Sequence, residues 1–261
     1  MTETPIRRPA IDAQLDRVLG DGDGAGAALA RELVAEPDDR WYGTLAVSAY
    51  TAFSADDGVD PALPAAAAVE LLRGYALARN RLLARASDDD VPPAETTTTL
   101  LAGDLLYTAA FTALGRGSGV SRAGGFEVLS EVVSTVTTTF AAAYAEESCP
   151  PAEFVDGTAG AVGAGAARLG ATLAEGTPTR REIASTVGEG LATAREIHRR
   201  LGPGTAATVA LPTDGEAERL RDHAERRREQ AVRALDELDH SADDSPLRVL
   251  ARRSAPASGI E

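Results

Sequence analysis

Residues 65–114 constrain the fold more tightly than any other part of the chain. They read AAAAVELLRGYALARNRLLARAS, then a short polar break, then TLLAGDLLYTAAFTAL. Apolar residues recur there at three- and four-residue intervals, which places them on one face of a helix. The spacing predicts two long helices, broken near Ser87–Thr97, where Asp88-Asp89-Asp90 and Pro92-Pro93 end regular structure. The same period recurs over Ile11–Leu19, Ala27–Ala35 and Arg40–Phe53, with an acidic, proline-containing turn at Ser54–Pro64. It returns over Phe126–Ala145, Glu153–Ala174, Thr179–Leu201 and Glu216–Leu238, and few segments alternate as strands do. The pattern is that of an all-α chain, with one helical domain over 1–253 and a disordered tail at 254–261.

Composition limits the partners. The net charge is −14, no lysine occurs, and all 26 basic residues are arginine. An acidic surface with few aromatics suits a salt-rich cytoplasm, where ions screen the repulsion between carboxylates. Nucleic-acid binding needs a basic stripe, and clusters such as Arg226-Arg227-Arg228 read instead as a solvated helix face. A single cysteine, Cys149, excludes an internal disulfide and a cysteine-based zinc site. The opening MTETPIRRPA lacks the apolar centre of a secretory signal, and no stretch approaches the length of a membrane span. A soluble, cytoplasmic protein is expected.

Several local patterns invite chemistry and fall short of it. Gly157–Gly170 has Arg168 where a dinucleotide loop needs its last glycine, so close helix packing is the expectation. A literal DDxxD, from Asp56-Asp57 to Asp60, lies in the turn before Pro61 rather than on a helix. Asp21, Asp23, Gly26 and Glu32 follow most of an EF-hand pattern, but Ala25 replaces an oxygen ligand. His198, His223 and His240 form no triad with a nucleophile, and Trp41 reads as a packing residue at a helix start.

The frame of residues 65–114 resembles the first aspartate-rich region of the trans-isoprenyl diphosphate synthases, the polyprenyl synthetase family. There an alanine-rich "AxELLH" helix runs into an HDDxxD cluster, and the next helix opens with "ILAGD". Val69-Glu70-Leu71-Leu72 and Leu101-Ala102-Gly103-Asp104 match, whereas Asn80, Arg81 and Ala84 stand at the aspartate positions. Near Gly188, VGEGLATAREIHRR looks like "LGxAFQIxDDxxD", with Ala192 for the glutamine and Arg195, Glu196 and Arg199 for the three aspartates. Of the diphosphate-gripping "GKRLRP" element only Arg40 is retained, and Tyr42 replaces its second arginine. Asp89-Asp90-Val91 stands for "RRG", and Gly157-Thr158 for "KT". The closing RDHAERRREQAVRALDELDHSADDSPLRVLARR is similar to the family's last helices, ending in an "SPLR" turn.

The resemblance implies an isoprenoid-synthase-like helical bundle around a central cavity, usually dimeric, in which Mg²⁺ bridges carboxylates to an allylic diphosphate. Arginine cannot ligate a cation, so no metal or other cofactor and no catalytic residue is expected here. Three functions stay open. One is a non-catalytic partner of an active prenyltransferase, as a homodimer or paired with a catalytic paralogue. Another is a metal-independent binder of a prenyl diphosphate or anionic lipid, held by Arg40, Arg81, Arg195 and Arg199, unless those arginines pair with Glu70, Glu189 or Glu196. An active synthase with unusual ligands completes the set.

Overall fold

In the computed structural model the chain runs through α1 (Thr4–Leu19), α2 (Ala25–Ala35), α3 (Trp41–Phe53), a 3₁₀ turn (Asp60–Ala62), α4 (Leu63–Arg85) and α5 (Pro93–Gly115). It continues through α6 (Arg122–Tyr144), α7 (Pro151–Val155), a π turn (Asp156–Gly160), α8 (Ala161–Leu173), α9 (Pro178–Leu201), α10 (Asp214–Glu237) and α11 (Pro246–Arg253). The structure describes residues 4–20, 22–36, 39–55, 58–85, 92–117, 122–145, 149–202, 214–238 and 246–253. Among them no strand occurs. Asp21, Asp56-Asp57, the stretch Asp88–Val91, His240 and the tail from Ser254 lie outside the described residues.

Helix α4 is the axis of the bundle. Its alanines and leucines from Ala65 to Leu72 are buried all around, because α1, α2, α3, α5, α6 and α8 pack on it. Small side chains let these neighbours approach. Gly103 brings α5 to Ala78 and Tyr75, and Gly74 lets Val34 and Leu106 close over α4. The core spreads from there through every helix from α1 to α11.

The expected close packing in the glycine-rich stretch is present. Gly163 on α8 and Gly188 on α9 meet backbone to backbone, with no room for a Cβ at either. Gly170 does the same against Ala46 of α3, and Gly190 against Arg227 of α10. Helices α3, α8, α9 and α10 therefore stack in series.

Four boundaries differ from the sequence expectation. Helix α1 begins at Thr4 and runs through Pro9. Helix α5 begins at Pro93, within the expected break, because proline at the first helical position needs no N–H partner. The "SPLR" turn is instead helix α11, whose Leu247 is fully buried. Helix α6 begins at Arg122, ahead of the expected Phe126, and covers its threonines as expected, their hydroxyls folding back on the preceding turn: Thr135 donates to the Glu131 carbonyl and Thr139 to that of Thr135.

Candidate functional site

The site is built outward from the start of α3. Arg40 sits just before that helix in the left-handed region, at φ 47°. This turns its side chain inward, where Nε donates to Asp12 Oδ1 at 2.6 Å and Nη1 to the Val34 carbonyl at 2.5 Å. Arg73 of α4 donates to the same carbonyl at 3.1 Å and to Glu70 Oε2 at 3.2 Å. Glu70, 1 % exposed, accepts the Gly43 N–H at 2.8 Å and so closes the first turn of α3. Arg40 is thus held by Asp12 and the α2 carboxyl end.

The resemblance makes α4 the first wall of its implied cavity and α9 the second; on α4, Arg81 donates to Glu32 Oε1 of α2 at 2.9 Å. Glu32, the last residue of the EF-hand-like pattern, is therefore an ion-pair partner. Asn80 Oδ1 and Arg79 Nε are buried without a hydrogen-bond partner, and Ala84 is exposed. The Arg79 guanidinium lies 5.1 Å from the centre of the Tyr75 ring, whose hydroxyl meets Thr137 Oγ1 of α6 at 3.0 Å.

At the second wall, on α9, Arg195 donates to Asp39 Oδ2 and lies 5.2 Å over the Trp41 ring. Glu196 accepts from Arg199 Nε and Nη2 at 3.0 Å each and from Arg200 Nε at 2.7 Å. Burial alone would raise the Glu196 pKa; the guanidiniums of Arg199 and Arg200 overcome this and hold it below the ordinary carboxylate range. Tyr42 lies between the walls. Burial, and then the Glu196 charge, push its phenol pKa up, while Arg73 and Arg195 pull the other way.

The structure brings together Arg195, Glu196 and Arg199 near Tyr42, and it holds Arg81 apart with Glu32. Of the three carboxylates expected as arginine partners, Glu196 takes Arg199, Glu189 takes Arg227 and Glu70 takes Arg73. Helices α3 and α8 pack against both α4 and α9, so the two walls flank them.

A further centre escaped sequence reading. Asp156, on the π turn, accepts from Arg227 Nη2 at 2.6 Å, Arg227 Nε at 3.1 Å and Thr193 Oγ1 at 3.0 Å, and meets His223 Nε2 at 3.0 Å. Burial would raise the Asp156 pKa, but bonding to Arg227 and His223 lowers it. Its partners come from 37 to 71 residues away, so no local spacing signals it. His198 of α9 has its Nε2 buried without a hydrogen-bond partner.

The divalent cation implied by the resemblance takes a shell of oxygen donors. At the six wall positions, only Asn80 and Glu196 carry side-chain oxygens, and both oxygens of Glu196 are bound to guanidiniums. Among the described residues, no group of three His, Cys, Asp or Glu is placed to hold a metal ion. These residues do not fit a magnesium cage.

No family model and no curated protein matches the chain. Solved structures do. It is similar to the geranylgeranyl pyrophosphate synthetase of Pyrococcus horikoshii Ot3, with TM-score 0.76, 17 % identity and 94 % of each chain covered. The corresponding enzyme of Geoglobus acetivorans gives TM-score 0.75 at 16 % identity, over 96 % of both chains. The polyprenyl synthase of Caulobacter crescentus CB15, solved with calcium and isoprenyl diphosphate, gives 0.70 at 18 % identity, over 95 % of this chain and 94 % of that one. No helix among the described residues is long and apolar enough to cross a membrane. The chain therefore has the all-α isoprenoid-synthase fold of these prenyl diphosphate synthases.

Proposed function

We propose that this chain is a non-catalytic member of the polyprenyl synthetase family, acting in the cytoplasm as a structural or regulatory partner of an active prenyltransferase. One observation carries this. Where the resemblance aligns the family's acids, Arg81, Arg195 and Arg199 stand, each engaged by a carboxylate of the same chain: Glu32, Asp39 and Glu196. Ionisation of an allylic diphosphate leaves pyrophosphate, whose charge must be stabilised as it develops. Guanidiniums already compensated by carboxylates, with no oxygen cage beside them, supply little of that.

The surface supports a subunit role. Helix α5 exposes Leu101 at 56 %, Leu100 at 41 % and Tyr107 at 40 %, and Tyr107 continues through Phe111 to Phe126 of α6 as a row of ring contacts. Among its outward residues Asp104 carries the only charge between Leu100 and Thr112, in a chain otherwise rich in acids. Large apolar side chains on a face with a single carboxylate suit a second subunit.

The test is a condensation assay with isopentenyl diphosphate and an allylic diphosphate in saturating Mg²⁺. The chain alone should give no turnover, and co-expression should recover it bound to an active prenyltransferase. Turnover comparable to an ordinary synthase would remove the proposal.

A further inference from the structure

Among the described residues the buried apolar side chains fall into two clusters, and α9 and α10 each belong to both. Ala184, Val187, Leu191 and Ala192 of α9 lie in the main core, as do Ala231, Ala234 and Leu235 of α10. Ala194 and Ile197, at the end of α9, instead form a satellite with Leu220 and Ala224 of α10 and Val155 of α7. The satellite has five buried side chains, two of them alanine, so it contributes far less apolar burial than the main core. Helix α10 packs chiefly on α9, with lesser contact to α7 and α11.

Polar groups mark the boundary between the clusters. Both oxygens of Asp156, the first residue of the π turn, meet Arg227 and His223 of α10, and Thr193 of α9 donates to Oδ1. Thr193 falls between Ala192 of the main core and Ala194 of the satellite, and Arg227 between Ala224 and Ala231. On the main-core side, Gly190 against the Arg227 carbonyl and Gly188 against Gly163 leave no room for a Cβ, which anchors the helices there. The other side is less well satisfied. His198 Nε2 is buried there without a hydrogen-bond partner, which costs stability locally. Arg195, bound to Asp39, and Arg200, 5.8 Å from the Phe154 ring centre, tie that side to the body from partly exposed positions, where such contacts are weak.

We propose that the end of α9 and the start of α10, residues 194–201 and 216–226, open together as one unit while the main core stays folded, and that Asp156 is the latch holding them closed. Its carboxylate joins the π turn to both helices at once, so its release frees both ends together. Arg195, Glu196 and Arg199 all lie on the unit that opens, so the latch sets how much of the time the second wall faces the start of α3. The device goes beyond the partner-subunit function and stands whether or not the chain associates.

Native-state hydrogen exchange, followed by mass spectrometry at rising urea below the unfolding transition, tests it. In the wild-type protein, 194–201 and 216–226 should share one opening equilibrium that responds to urea, and should exchange at least about tenfold faster than 63–78 of α4 and 184–192 of α9. Asp156→Asn should speed exchange in both tip segments alike, by about tenfold or more. Arg227 keeps Glu189 in that variant, so its guanidinium is not stranded. His223→Ala, which removes one partner of Asp156 and leaves Arg227 in place, should act in the same direction and serves if D156N does not fold. Leu106→Ala, on α5, weakens the main core and should speed exchange in 63–78 by about tenfold or more while leaving the tip unchanged. Tip exchange that does not respond to urea would mean frayed helix ends and overturns the proposal. So does an unequal response of the two tip segments to D156N or H223A, or an acceleration of the tip by L106A as large as that of the core.

Discussion

Glu70 ties α3 to α4 by accepting from the Gly43 N–H and pairing with Arg73, all out of contact with water. Removing one member of a buried pair strands the other charge, which costs about 3–5 kcal/mol. Glu70→Ala should lower the unfolding free energy in urea by that amount, and Glu70→Gln by less, since its amide oxygen still receives the Gly43 N–H. Asp156 and Glu196 predict the behaviour in acid. Both have folded pKa values held below the ordinary range. Each therefore contributes stability above its unfolded pKa, and that contribution fades as pH falls through the folded value. Thermal melting should show stability dropping below about pH 4, with a shallower drop in Asp156→Asn. At this scale the sequence was legible only in part. Arg40 was recognisable as the retained basic residue of the grip element, but its inward turn depends on a left-handed backbone and on Asp12, 28 residues away.

The glycines of α8 were legible as packing residues because neither a preceding strand nor a phosphate-loop spacing accompanied them, whereas Gly188 and Gly190 of α9 were not legible as such. They govern how helices stack. Gly188 has no space for a Cβ against Gly163 and Ala167, so Gly188→Ala should cost about 1–3 kcal/mol by overpacking. A fall in melting temperature with unchanged helical circular dichroism below the transition is the expected result. Helix α5 carries the association face of the proposed function. Leu101→Arg combined with Tyr107→Glu adds charges to its largely apolar face, and light scattering after gel filtration should find the assembly shifted to monomer. Element boundaries were less legible. Pro93 reads as a breaker by type and acts as a first-turn residue by position, and α11 was hidden because a short amphipathic segment becomes helical only when its apolar side docks on the core.

For the whole molecule, helical period alone sufficed for an all-α bundle, and the matched frame of α4 and α5 sufficed for its family resemblance. The pairing of the arginines was not legible, since Asp39 and Glu32 reach them from segments far away in sequence. The chain's net charge of −14 sets its response to salt. Its melting temperature should fall as potassium chloride is lowered from molar levels, because the screening length grows from about 3 Å at 1 M to about 10 Å at 0.1 M. The central claim is that the two walls hold guanidinium–carboxylate pairs where a synthase would hold metal. Anomalous diffraction at the manganese edge, from crystals soaked with Mn²⁺ and a bisphosphonate, tests it most directly. The account predicts no manganese between Asn80 and Glu196, and ordered ions bridging those two helices would contradict it.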